Sequence, residues 1–213
     1  MNSKVKEHQS IRIFKSSILE ACTHVHPIVP LLIWGPFVLV LMYYALNVTG
    51  LSILEFSLWG FLGLFFWTLT EYVVHRYGFH FPAKGFVGKS IVYLFHGLHH
   101  DDPQDPTRLV MPPVPAIILM YVLYFFFNLF VPDRYIGTYM AFFTIGYLCY
   151  DYIHYATHHL PTNNPVGRYL KRYHLKHHFA HEKSKYGVSS PLWDYILGTV
   201  EGEKTTYVYE KPF

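Results

Sequence analysis

Three imidazoles share a single turn in His174-Leu175-Lys176-His177-His178, because residues three and four apart lie on one face of a helix. The same spacing occurs at His96, His99 and His100, and His154 is followed at i+4 by His158 and then by His159. Upstream of all of these stand His75 and His80, so eleven of the fifteen histidines fall in four clusters. Imidazoles crowded on one face repel when protonated and are left unsatisfied when neutral. A bound cation resolves both problems, and imidazole suits iron, zinc, copper and nickel. His75, His80, His96, His99, His100, His154, His158, His174, His177 and His178 make ten candidate ligands. That number serves two metals with about five ligands each, leaving a position open for oxygen or water.

Four further residues are candidate supports. His159 lies off the His154/His158 face and is read as a ligand or as an outer partner of one, and His181, three residues beyond His178, as support. Glu71 precedes His75 by one turn, and Asp151 precedes His154 by three residues. Carboxylates so placed can accept the free ring N–H of a metal-bound histidine, fixing its tautomer and raising its basicity. Asp151 is the stronger of the two candidates, standing at the end of an otherwise uncharged run. His75 and His80 fit least well, since an ideal helix sets residues five apart roughly 140° from each other. Gly78 and Pro82 lead us to expect that the helix ends there and the chain turns to bring His80 back.

The elements that must hold these histidines are apolar. The chain of 213 residues is 52% hydrophobic and 19% aromatic, with only 15% charged residues, a composition of membrane proteins and not of soluble domains this size. No nucleic-acid partner is expected. Cys22 and Cys149 are expected to be reduced thiols. Residues 1–29 read as a polar tail without a secretory signal, in which His24 and His26 are interfacial or loop residues. Pro30 to Val48 and Ile53 to Val74 form one predicted helical hairpin, and Val114 to Val131 and Tyr135 to His154 a second, each run close to the length that crosses a bilayer. Between the hairpins, residues 75–113 are polar, with a short helix expected over Val87 to His100. Residues 160–213 are polar again. The fold class expected is an all-α membrane protein: four transmembrane helices in region 30–159, and a helical cap carrying a histidine-rich dimetal site, in one integrated catalytic domain.

Charge fixes the expected orientation. Sixteen of the seventeen Lys and Arg residues lie in the tail, in the 75–113 segment or after residue 160, and only Arg134 lies elsewhere. The positive-inside rule makes that side cytoplasmic, with both termini and all four histidine clusters. The membrane would be a bacterial inner membrane or, in a eukaryote, the endoplasmic reticulum.

The series His-x4-His, His-x2-His-His, His-x3-His-His, His-x2-His-His resembles that of the fatty acid hydroxylase and sterol desaturase superfamily of membrane di-iron proteins. The likeness is greatest to fatty acid 2-hydroxylases, in Glu71-Tyr72-Val73-Val74-His75-Arg76, Phe95-His96-Gly97-Leu98-His99-His100, Arg108-Leu109-Val110-Met111-Pro112-Pro113, Tyr150-Asp151-Tyr152-Ile153-His154 and, most specifically, His177-His178-Phe179-Ala180-His181-Glu182-Lys183-Ser184. It covers roughly residues 20 to 205. The resemblance implies hydroxylation at C2 of a long-chain fatty acid or of a ceramide-type acyl group with O2 and two electrons, the ten histidines holding two irons. Zinc could occupy the site in purified protein, but it cannot activate O2. Eukaryotic members carry an N-terminal cytochrome b5 domain for which there is no room before the first span, so electrons are expected from a separate cytochrome b5, ferredoxin or reductase. The competing readings are a related sterol oxidase or desaturase, a carotenoid hydroxylase and, outside enzymes, a histidine-rich metal transporter. A transporter should place its ligands along a path near mid-membrane, whereas these lie at span ends.

Overall fold

The computed structural model describes residues 10–202, and every regular element within them is helical. Lys4 and Lys6 of the expected tail and residues 203–213 of the expected cap lie outside the described residues. The short α1 (Ser17–Ala21) precedes α2 (Val29–Tyr43), which runs on through a wider π turn at Tyr44–Val48. A capping box opens α3 (Ile53–Val73): the Ser52 hydroxyl accepts the Glu55 N–H and the Glu55 carboxylate accepts the Ser52 N–H, satisfying two donors that a helix start leaves free. A π turn at Val74–Phe79 prolongs it. Next comes a rod made of α4 (Gly85–Val92), a π turn at Tyr93–Gly97 and α5 (Leu98–Asp101), longer at both ends than the expected piece. Prolines start α6 (Pro113–Phe127) and α7 (Asp133–His159), where a missing N–H costs nothing. In α8 (Pro165–Phe179) the Asn164 side chain caps the helix by accepting the Gly167 N–H at 2.6 Å. The last helix is α9 (Leu192–Ile196).

Two helices, Val29–Val48 and Ile53–Phe79 with their π turns, are long and apolar enough to cross a membrane. The third expected span is a 15-residue apolar helix, α6, which ends at Phe127 rather than at Val131. The fourth, α7, is 27 residues long and occupies the centre, with 15 of its residues buried; α2, α3 and α8 pack against it. Glycines set the closest crossing, that of α3 on α7. A Cβ at Gly63 would collide with the Tyr139 carbonyl, and one at Gly146 would stand 2.5 Å from the Trp67 ring. Small residues are the usual means of close helix approach where lipid removes the hydrophobic drive between helices. Trp67 then packs edge-on to Phe143 and Tyr147, with centroids 5.2 and 5.5 Å away, pairs worth about 0.5–1.5 kcal/mol each beyond area burial. The outward faces of α2, α3 and α6 expose Leu39, Val40, Phe61, Ile118 and Phe125. The histidine-bearing ends of α3, the α4–α5 rod, α7 and α8 converge at one end of this bundle.

Candidate metal centre

The π turn after α3 resolves the five-residue spacing of His75 and His80. Where hydrogen bonds close from i to i+5, residues five apart come to overlie each other. The His80 N–H donates to the His75 carbonyl at 3.1 Å, and the two rings lie 5.1 Å apart. The helix ends at Phe79, between Gly78 and Pro82 as the sequence led us to expect, but it first widens into a π turn. A second π turn carries His96 and leads into the α-helical His99 and His100.

All ten candidate ligands come together, in two groups of five. One holds His75, His80, His96, His100 and His177; the other holds His99, His154, His158, His174 and His178, and in each the ligand atoms lie within 4.8 Å of one another. Adjacent residues are divided between them: His99 from His100, and His177 from His178. Inward-facing Nε2 atoms make the contacts. In the first group they lie 3.0 Å apart for His75 and His96, 2.9 Å for His96 and His100, and 3.1 Å for His80 and His177. In the second the values are 3.0 Å for His154 and His99, 3.1 Å for His99 and His178, 3.0 Å for His178 and His174, and 2.9 Å for His174 and His158.

Where the tautomer is fixed, one ring of the pair has no Nε2–H to give. His75 Nδ1 donates to the Tyr186 carbonyl at 2.5 Å and His177 Nδ1 to the Ser184 carbonyl at 2.7 Å, leaving each Nε2 a lone pair aimed at another ring. Burial first, and then neighbouring imidazoles, hold His80, His96, His99, His100, His174 and His178 well below the usual imidazole range; burial and then His75 do the same for His177. Neutral rings whose Nε2 atoms converge in this way are suited to bind a cation. Nitrogens about 2.1 Å from a common ion and at right angles would be about 3.0 Å apart, and opposite ones about 4.2 Å, from ordinary metal–imidazole distances. The observed 2.9–3.1 Å spacings fit the right-angle value, and the 4.8 Å limit of each group leaves room for opposite pairs, so the residues fit a metal with more than four ligands in each group.

The outer partners differ from those expected. Glu71 is buried, but its carboxylate accepts the Val188 and Ser189 N–H groups at 2.7 and 2.8 Å and the Ser189 hydroxyl, not a histidine. It thereby anchors the loop whose Tyr186 carbonyl holds His75. Asp151 is also buried, one turn from His154, with its carboxyl toward Tyr147 and the Met111 backbone and hydrogen-bonded to no histidine among the described residues. His159 lies tilted against the Tyr155 ring with centroids 4.9 Å apart and joins neither group. His181 Nδ1 donates to the Gly202 carbonyl at 3.0 Å. Sequence reasoning missed Glu182, whose carboxylate lies 2.9 Å from His100 Nδ1, and the Ser184 and Tyr186 carbonyls. The signal for Glu182 was its place as the acid in the run that follows His177 and His178. No signal marks a backbone carbonyl.

A cavity of about 250 Å³ reaches both groups, with His96, His99 and His154 in its wall beside Phe95, Leu109 and Met111. Phe79, Met111 and Tyr150 also line a narrower apolar crevice that runs between α3, α6 and α7 past Trp67 and Met120. The arrangement brings the two histidine groups to the head of an apolar slot.

Comparison with known proteins gives one consistent result. The family model for fatty acid hydroxylase matches residues 60–199. A dihydroceramide fatty acyl 2-hydroxylase of Arabidopsis thaliana is 37% identical over 81% of this chain and 72% of its own length. The fatty acid 2-hydroxylase of Homo sapiens is 42% identical over 67% of this chain and 39% of its own. A ceramide very long chain fatty acid hydroxylase of Schizosaccharomyces pombe is 39% identical over 79% and 49%. Among solved structures, full-length scs7p, of which only the hydroxylase domain is visible, superposes with a TM-score of 0.86 at 33% identity, covering 92% of this chain and 75% of that one. The chain thus spans less than two thirds of the length of most of these curated relatives.

Proposed function

The chain belongs to the fatty acid hydroxylase family, and on that premise we propose that it is a membrane monooxygenase that hydroxylates C2 of a long-chain fatty acid or of a ceramide-type acyl chain. The observation that carries this reading is the pair of five-histidine groups at the head of one apolar cavity. In the proposed reaction one oxygen atom of O2 enters the C2–H bond and the other leaves as water, with two electrons and two protons supplied from outside. His75, His80, His96, His100 and His177 hold one iron, and His99, His154, His158, His174 and His178 the other. Bound iron supplies the one-electron chemistry that activates O2. The chain's own residues orient the ligands and exclude water: Tyr186, Ser184 and Glu182 fix three rings from outside, while the apolar wall from Phe95 to Met111 receives the acyl chain.

The same reading extends to topology. α2 with α3 and α6 with α7 form two membrane hairpins, while residues 75–113 and 160–202 cap the bundle on the cytoplasmic side. The excess of Lys and Arg in the tail, the 75–113 segment and the residues after 160 supports this. Electrons come from a one-electron carrier. The test is mass spectrometry of lipids from cells expressing the wild type and His177→Ala. A 2-hydroxy acyl product made by the first and not the second is expected. An altered sterol or carotenoid pool without 2-hydroxy chains would overturn the substrate assignment.

A further inference from the structure

The outer face of α8 is not needed to hold metal, yet it is strongly patterned. Arg168, Arg172 and Lys176 are exposed and four residues apart, hence on one face. The opposite face buries His174, His177 and His178, and the helix contains no acidic residue. Beside Arg172 and Lys176 opens a hollow of about 360 Å³, which Tyr173, Lys185 and Tyr195 also line, with Glu201 as the acid among the lining residues. Two residues of its wall lead directly to the metal groups. Tyr173 is joined by one peptide bond to His174 of the second group. Lys185 sits between Ser184 and Tyr186, whose carbonyls accept from His177 and His75 of the first group at 2.7 and 2.5 Å. Lys185 is itself fixed: its N–H donates to the Thr199 carbonyl, its ammonium donates to the Val200 carbonyl, and it lies 5.4 Å from the centre of the Tyr173 ring.

We propose that this basic, tyrosine-lined hollow and the adjoining face of α8 are the docking surface of an acidic one-electron carrier protein. The inference rests on the monooxygenase reading, since only a reaction that consumes electrons needs such a carrier. Each turnover takes two electrons, one from each of two reduced carriers. These join the two electrons of the C2–H bond in reducing O2 to the new hydroxyl oxygen and one water, with two protons taken up. A carrier seated here is separated from the histidines of α8 by about one helix diameter, 10–12 Å. Short covalent and hydrogen-bonded routes through Tyr173 and Lys185 serve both groups. Charge complementarity supplies orientation and encounter rate for such transient partners, whose interfaces are small. An anionic lipid surface would also be drawn to the cations, but it has no use for routes into the metal groups.

The test uses the full chain loaded with zinc, which is redox-silent, and the soluble haem domain of cytochrome b5 as an acidic probe. Binding is measured at low and physiological ionic strength. Arg172→Glu/Lys176→Glu is expected to raise Kd about tenfold or more, and Lys84→Glu/Lys89→Glu to change it by less than about twofold. Metal content should be unchanged in both. Arg172→Gln/Lys176→Gln gives a smaller shift in the same direction and covers the case in which the reversal misfolds. In the iron-loaded enzyme the reversal should raise KM for the probe and leave dithionite-driven turnover intact. An unaltered Kd in both hollow variants overturns the proposal, as does loss of binding to phosphatidylserine vesicles with carrier binding retained. If the wild type forms no 2-hydroxy lipid even with dithionite, the reaction reading fails, while the zinc-loaded binding measurement still decides the docking surface.

Discussion

Replacing Glu71 with alanine should release one metal before the other. Its carboxylate satisfies two backbone N–H groups, of Val188 and Ser189, and the Ser189 hydroxyl. Each buried N–H left without an acceptor costs about 1–3 kcal/mol, so the two together cost about 2–6 kcal/mol. For a chain of this size that lowers Tm by roughly 2–4 °C per kcal/mol. The loop from Tyr186 to Ser189 then loosens, and with it the Tyr186 carbonyl that fixes the His75 ring. Loss of an outer partner typically weakens metal binding by about 10- to 100-fold. The affected site is the group of His75, His80, His96, His100 and His177; the other group takes no ligand from the loop or from α3. Competition with a graded chelator, read as metal per chain by mass spectrometry, should show one metal leaving at lower chelator and the second at the wild-type concentration. Glu71→Gln keeps one acceptor oxygen and should fall between. Two metals lost together at the wild-type midpoint, with an unshifted Tm, would refute the link from Glu71 through the loop to His75.

Other expectations follow from the same geometry. Glu182→Gln, which weakens the partner of His100, should likewise lower affinity for one metal by about tenfold, read in the same chelator titration. His80→Ala removes one of five ligands from the first group only, and elemental analysis should find close to one metal per chain with no 2-hydroxy product. Acid should destabilise the metal-free protein. The folded-state pKa of His99, His100 and His174 is depressed, by burial and then by other imidazoles, so the unfolded chain takes up protons first. Stability is full above the unfolded imidazole value near about 6.5 and falls as pH drops below it toward the folded values; chelator-treated protein unfolded by denaturant across that range checks the sign. Gly63→Ala should separate α3 from α7, since its Cβ meets the Tyr139 carbonyl, with a loss of about 1–3 kcal/mol from overpacking seen in thermal unfolding.

The sequence by itself determined which histidines gather and the family they point to. Spacings of three and four are local facts of helix geometry, so the faces of His96/His99/His100, His154/His158 and His174/His177/His178 are legible without a fold, and apolar runs show the bundle beneath them. Only the tertiary structure decided how the ten are shared. Neighbours such as His99 and His100 go to different groups because that depends on how the α4–α5 rod is rotated between α3, α7 and α8, which no local pattern encodes. The π turn that stacks His80 over His75 was hidden for a related reason: residues five apart look mismatched until the hydrogen-bond register is known. Glu71 and Asp151 were legible as carboxylates close before histidines but not as to partner. Glu71 reaches a loop more than a hundred residues away in the chain, and the atoms that orient His75 and His177 are backbone carbonyls, which every residue carries and only folding brings into place.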